Sequence, residues 1–552
     1  MIVDFERERT LPSFVADVCI VGAGAAGIVL AAQLMRVGKR VLLLESGGRK
    51  EDESFQQLNR SERTGQPLKS VHAGRFRALG GTTIRWGGQI QEMQESDFET
   101  RPGIAGSGWP IAKSMLTPYY ERALEAEGLL PVLRTDEEVW RESGSVAPNL
   151  SEDLIPYFTR WCPEPNFARL YRDALASTNI CVVLHATVCE LMMNEAGDAV
   201  LGVRCRNLAG TEHVFHAPTY VLSLGMMETI QLLLQPLEKG QAPWQKNGWL
   251  GRHVQSHIDY NSAKLVNVDR KRMEQVFPNV YLRGRKYQPK LRVTEERQRE
   301  DQTLNIAGAI SFISLGTVER DVRQMKSAAR NLLRGNWSAI GVRDTIPALR
   351  RLPILLQLAY SFYVSHRAYW PEDVTYWLRV HCEQEPNSAS RVTLLQERDA
   401  MGMFRSRIDW QVSPVEWKTI QRFTQMAQCA LETAGLAKLE PQPELALEDG
   451  YRQVTFDDSY HWMGGTRMSA MAGEGVVDTD LKLHGVRNAY VCSASVYPTS
   501  GFANPVHTLL ALTIRLADHI GARPPVAETQ EAVSGGEGLS AETHETQVRA
   551  DA

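Results

Sequence analysis

A chain of 552 residues is too long for one compact core, and its length predicts about two to four domains. Its composition, 43% apolar and 23% charged with a formal net charge of −4, is globular and gives no electrostatic ground for a nucleic-acid partner. No run approaches the ~18 apolar residues of a spanning helix, and the eight cysteines lack a CxxC pair or zinc-like spacing, so neither a disulfide scaffold nor a metal site is expected.

Met1 to Thr10 is charged and lacks the apolar core of a secretory signal, so a cytoplasmic protein is expected. Residues 16–48 then read as one strand–turn–helix–strand unit. Val18 to Val21 is a buried strand, followed by a glycine turn, an apolar helix from Ala25 to Arg36, a stop at Gly38, and a strand from Arg40 to Glu45. Residues 50–110 are polar and glycine-rich and predict extended loops over a ligand. Short apolar runs over 180–225 end in the strand Tyr220 to Ser223. Strand-like stretches at Leu304 to Ile313, Tyr376 to Cys382 and Arg391 to Leu395 predict a separate sheet domain between about 260 and 450. From Tyr460 the chain is glycine-rich again and closes in a helix, Val506 to Ile520. Past Pro525 almost no large apolar residue remains, which predicts a disordered tail.

The turn Gly22-Ala23-Gly24-Ala25-Ala26-Gly27 is a GxGxxG between strand and helix. Gly22 makes the tight turn, Gly24 lets backbone amides approach a pyrophosphate, and Gly27 lets helix pack on strand; the helix N-terminus supplies partial positive charge. Glu45 ends the next strand 23 residues after Gly22, where a carboxylate accepts hydrogen bonds from ribose hydroxyls. A second glycine-rich segment, Ala78 to Gln89, contains Gly80-Gly81-Thr82-Thr83 and Trp86. With Val221 to Thr229, Gly248 to His257 and the block Tyr460 to Met468, this order of motifs resembles the glucose–methanol–choline (GMC) oxidoreductases, over residues 16 to about 260 and again from 459 to 520.

The resemblance implies an α/β fold: a Rossmann-type FAD-binding domain, discontinuous in sequence, plus a substrate domain on a mostly antiparallel sheet with helices. It divides the chain into 1–260 (FAD domain, with loop insertions at 50–160), 261–458 (substrate domain), 459–523 (return of the FAD domain) and a tail, 524–552. It implies FAD contacts at Gly22, Gly24, Ala25, Ala26, Gly27, Glu45, Gly80, Gly81, Thr82, Thr83, Trp86 and Val188, with Ala494, Ser495, Pro505 and Thr508 lining the flavin. The family's catalytic pair falls on His461 and Asn504, with His507 as the alternative partner.

The chemistry accounts for such a pair. Oxidising an alcohol removes a hydride from carbon and a proton from oxygen, and the hydride leaves readily only from an alkoxide-like centre. A histidine within hydrogen-bond reach takes that proton, and a neutral amide beside it holds the oxygen. The carbon–hydrogen bond then points at flavin N5, and the organic reaction belongs to the cofactor. Gly80 to Trp86 and Ala503 to Thr508 are most similar to the sugar-oxidising branch, which predicts a sugar, glycoside or polyol substrate. Reoxidation by oxygen, a quinone or another carrier stays open. So do two alternatives, a hydrophobic alcohol and a non-redox activity such as a hydroxynitrile lyase. Where one member of that branch carries a flavin-linked histidine, this chain has Arg85, so FAD is expected to be non-covalent. Between Arg320 and Arg367 nine Lys or Arg accompany two acids around the apolar run Leu352 to Val364. This stretch reads either as a lid on the substrate domain or as a peripheral contact with the inner face of a membrane.

Overall fold

The computed structural model describes residues 1–8, 13–67, 71–145, 147–238, 241–314, 357, 360–370 and 374–522. Most of the 320–367 stretch and the whole of the expected tail lie outside the described residues. Within it, Tyr360, Phe362, Tyr363 and Val364 are exposed. Among the described residues no helix is long and apolar enough to cross a membrane.

The N-terminal unit forms as its pattern dictates. Val18–Val21 and Val41–Leu44 are continuous apolar strands, buried on both faces as a central parallel sheet requires. They pair in register, Val18 opposite Val41, within a six-stranded parallel sheet. Its order is Ile2–Asp4, Ile180–Leu184, Val41–Leu44, Val18–Val21, Thr219–Leu222 and Ala489–Val491. The last strand, nearly 270 residues beyond its neighbour, makes the sheet discontinuous in sequence. The helix Ala25–Arg36 buries eight residues, Ile28, Leu30 and Leu34 among them, and packs against the last helix, Pro505–Gly521. One apolar core thereby joins the two ends of the chain.

A second, nine-stranded sheet is antiparallel throughout its described pairs. At its centre lie Ile258–Val266, Val374–Cys382, Ile306–Ser314, Arg285–Val293 and Leu154–Trp161. Side chains alternate across it. Tyr376, Leu378, Val380 and Cys382 are buried on the face that carries the helix Pro414–Thr433, while Arg379 and His381 point to the other side. Gly308 marks the close approach of that helix, since a Cβ there would lie 2.5 Å from Phe423.

Three expectations are adjusted. Leu154–Trp161 and Gln89–Ile90, read as loop insertions, are strands of the second sheet. Arg391–Arg398 leaves that sheet and pairs with Phe404–Trp410 in a smaller one. Within the stretch read as loops, Glu62–Gly65 is a strand parallel to Phe404–Trp410. Its residues are all exposed, so no apolar alternation announces it.

Candidate active site

A cavity of about 910 Å³ runs from Glu45 past the glycine turn to the face of the antiparallel sheet. At the first end the backbone shape is set by glycines. Gly22 has φ +102, and a Cβ on it would meet the Ser223 carbonyl oxygen at 2.5 Å; a Cβ on Gly27 would sit 1.9 Å from the Gly22 carbonyl oxygen. Gly24, the N-cap, makes no side-chain cap and opens on the cavity, leaving the first amides of a 12-residue helix facing it. Both Glu45 oxygens accept backbone amides, from Ala23 and from Gly47, at 2.9 Å each. Burial pushes its carboxyl up to about 7, with those two amides opposing. Ribose hydroxyls arriving as further donors favour the ionised form. This is the donor and acceptor set a dinucleotide requires. A Gly27→Ala chain is expected to lose helix–strand packing, about 1–3 kcal/mol, and to purify with less FAD per chain. Unchanged melting temperature and FAD content would contradict this.

The second glycine segment docks on the first: Gly80 N–H donates to the Ala23 carbonyl at 2.9 Å, and a Cβ on Gly81 would meet Gly24 Cα at 2.9 Å. Gly81, Thr82, Thr83, Arg85 and Trp86 line the cavity. The Thr83 hydroxyl donates back to the Gly80 carbonyl at 2.5 Å, and the Trp86 indole N–H donates to the Pro165 carbonyl at 2.6 Å. Both are held by protein partners and present their apolar parts. Arg85 is ion-paired through Nε with Glu51 at 2.6 Å.

His461 and Asn504 meet at the other end, Asn504 Nδ2 lying 3.1 Å from His461 Nε2. Asn504 caps the helix Pro505–Gly521 without spending its side chain on a backbone cap, so its amide is free to face the histidine. Neighbouring histidines assign the tautomers. His257 Nε2–H donates to the Gly501 carbonyl at 2.8 Å, which leaves His257 Nδ1 as an acceptor. The Asn504 Nδ2 amide donates to His461 Nε2, which therefore carries no hydrogen, and His461 holds its hydrogen on Nδ1, 3.0 Å from His257 Nδ1. His381 Nε2 lies 2.8 Å from the same His257 nitrogen while its Nδ1 is hydrogen-bonded to Asp259, so both His381 nitrogens face acceptors. Asp259 also accepts from Arg379 at 2.9 Å. Burial works to raise the Asp259 carboxyl, but His381 and Arg379 outweigh it and hold it well below the usual carboxylate range. His461 is pushed down to about 3, first by burial and then by His381. His257 is lowered for the same two reasons. The three rings offer nitrogens within 4.8 Å of one another, a donor set that could also hold a metal ion. Their 2.8 and 3.0 Å contacts are shorter than the about 3.3 Å between nitrogens in a tetrahedral site with bonds of about 2.0–2.1 Å.

Not every expected residue reaches the cavity. Gly27 and Gly80 shape its wall from behind. Val188 lines a small neighbouring hollow together with Arg77 and Glu228, which also line the main cavity. Ala494 and Pro505 line the cavity, whereas Ser495 is buried against the Thr466 hydroxyl at 2.7 Å and Thr508 against the Tyr120 hydroxyl at 2.9 Å. The expected flavin contacts of Ser495 and Thr508 are therefore corrected to packing roles behind the lining. His507, the alternative partner, is paired with the fully buried Glu127 at 2.9 Å, away from His461. Asp259, Arg379 and His381 were missed because residues on two strands meet only through sheet pairing, Asp259 opposite His381, while His257, just before the first of those strands, was read only as the end of the Gly248 to His257 motif. The polar–apolar alternation of Val374–Cys382 was the available signal.

Residues 386–513 match the C-terminal model of the GMC oxidoreductases, and residues 15–69 match the FAD-binding domain model. The chain is 24% identical to 6'''-hydroxyparomomycin C oxidase of Streptomyces lividus over 92% of both chains. It is 22% identical to 2-methyl-1,2-propanediol dehydrogenase of Mycolicibacterium austroafricanum, over 92% of this chain and 95% of that one. In fold it is similar to formate oxidase of Aspergillus oryzae, with TM-score 0.54 and 17% identity, over 93% of this chain and 99% of that one.

Proposed function

From the premise that the chain is a glucose–methanol–choline oxidoreductase with FAD as its cofactor, acting on alcohol groups, we propose that its substrate is a sugar, glycoside or related polyol and that His461 is the base. The observation that carries this is the pairing of His461 and Asn504 at the cavity wall, where the unprotonated Nε2 of His461 accepts from the Asn504 amide at 3.1 Å. The relatives named for oxidising a hydroxyparomomycin and a diol support a hydroxyl-bearing substrate.

Glu45 would hold the ribose, the N-terminus of the helix Ala25–Arg36 the pyrophosphate, and Gly81, Thr82, Trp86, Ala494 and Pro505 the flavin half. When bound there, FAD supplies the acceptor for the hydride that leaves the carbinol carbon. A substrate hydroxyl would enter between the two side chains in place of their hydrogen bond: its proton goes to His461 Nε2 as the carbonyl forms, and the Asn504 amide N–H donates to the same oxygen. The amide thereby fixes the oxygen and stabilises its growing negative charge without competing for the proton. His257 keeps the His461 hydrogen on Nδ1, and Asp259 holds His381 in place. Neither needs to touch the substrate to do so.

Anaerobic addition of polyhydroxylated alcohols to the holoprotein tests this reading. Bleaching of the visible flavin band is expected; a lyase acting on the same alcohols would leave the flavin oxidised. Arg85 carries no imidazole to bond the flavin and is committed to Glu51. Acid precipitation is therefore expected to leave yellow colour in the supernatant, and a yellow pellet would refute non-covalent binding.

A further inference from the structure

Resting on the reading of the cavity as an alcohol-oxidising site, one feature of its sheet wall goes further and bears on the substrate class. The antiparallel register aligns side chains in a row across this face: Lys290 opposite Tyr157, then Ala309, then Arg379 opposite Ala309. Leu291 stands opposite Gly308, which makes Lys290 and Ala309 neighbours. Small residues at Ala307 and Ala309 hollow the sheet between two cations about 10 Å apart, two interstrand spacings of about 4.8 Å.

These cations differ in what they already hold. Arg379 is shared between Asp259 and Asp457, at 2.9 Å each. Lys290 is half-buried and lines the cavity, and its ammonium has no hydrogen-bond or ion-pair partner among the described residues. Burial pushes its ammonium down to about 8, with Asp259 opposing and Arg379 adding. Two further lining groups, the Trp161 and Trp462 indole N–H, are buried without an acceptor among the described residues. Buried donors left unpaired are costly and rare. With Arg379 matched by two carboxylates, the unspent donors of this wall are the Lys290 ammonium and the two indoles, and an acceptor-only, anionic group complements them.

We propose that Lys290, over the hollow at Ala309, binds a carboxylate carried by the substrate, so that the preferred substrate is a hydroxy acid of the sugar-acid or glycuronide kind. The reacting hydroxyl sits at His461 and Asn504 while the carboxylate reaches the ammonium.

The test uses the holoenzyme and a matched set of alcohols: methyl glucoside, methyl glucuronide, glucosamine and a sugar phosphate. The glucuronide is expected to reduce the flavin with a kcat/KM at least about tenfold above the glucoside, the equivalent of about 1.4 kcal/mol. In Lys290→Met that ratio is expected to fall to near one, and in Lys290→Arg to be kept. A second readout needs no turnover. Titration with a carboxylate lacking the reactive hydroxyl, such as acetate, should perturb the flavin spectrum of the native chain and not of Lys290→Met. Absence of bleaching by every alcohol would refute the catalytic reading, while the acetate titration would still decide the anion site. A ratio unchanged in Lys290→Met, or preference for glucosamine or for the sugar phosphate, would overturn the carboxylate assignment.

Discussion

Replacing His461 by alanine is expected to slow anaerobic flavin reduction by an alcohol by about 10²–10⁴-fold, the usual worth of a positioned general base. FAD content should be unchanged, because the dinucleotide end of the cavity is built from Glu45 and the glycine turn rather than from this histidine. The size of the effect follows from the hydrogen-bond chain. The Gly501 carbonyl fixes His257, His257 packs against His461 Nδ1, and the unprotonated Nε2 accepts from the Asn504 amide at the cavity wall, where a substrate hydroxyl can take that place. The pH dependence has a definite sign. Burial and His381 lower the His461 pKa to about 3, so its base form persists to lower pH than that of a free imidazole. The acid limb of kcat/KM for the native chain should therefore fall well below the ~6.5 of an unperturbed histidine. A limb at or above that value, or a His461→Ala chain that reduces flavin at the native rate, would remove His461 as the base.

Arg101→Met is expected to cost about 3–5 kcal/mol in urea unfolding, because it leaves a buried carboxylate without its partner. Arg101 donates through both terminal nitrogens to Glu383, at 2.7 and 2.6 Å, and neither side chain reaches solvent appreciably. Glu383 also accepts from the Asn305 and Gly501 amides, and Asp97 accepts from Asn305 Nδ2 and the Gln94 amide. Gly501 has φ +53, and a Cβ there would meet Asp97 Oδ2 at 2.6 Å. This buried network thus holds the loop that carries the carbonyl on His257 and, three residues later, Asn504. Loss of less than about 1 kcal/mol, the worth of an exposed ion pair, would contradict a buried role.

The parts of the site that were legible are those written locally. Val18 to Glu45 carries its strand period, glycine turn, helix period and a carboxylate that lines the cavity within thirty residues, and the helix Ala25–Arg36 has the expected bounds. The motif around His461 and the Asn504-Pro505 helix start were legible for the same reason. What was not legible depends on strand pairing. His381 faces Asp259 across more than a hundred residues, and Lys290 meets Ala309 only through the sheet register. Motif likeness also misplaced residues one layer deep. Ser495 and Thr508 lie next to residues that line the cavity, yet their hydroxyls are spent on Thr466 and Tyr120. A likeness of sequence carries a segment's position but not which of its side chains turn inward.

The central claim, oxidation of an alcohol with His461 as base, is tested most directly by anaerobic rapid mixing of holoprotein and polyol, native and His461→Ala side by side. The account predicts fast bleaching of the visible flavin band in the native chain and bleaching slowed by about 10²–10⁴-fold in the variant at equal FAD content. Equal rates in the two chains, or a native flavin that stays oxidised with every polyol, would contradict it.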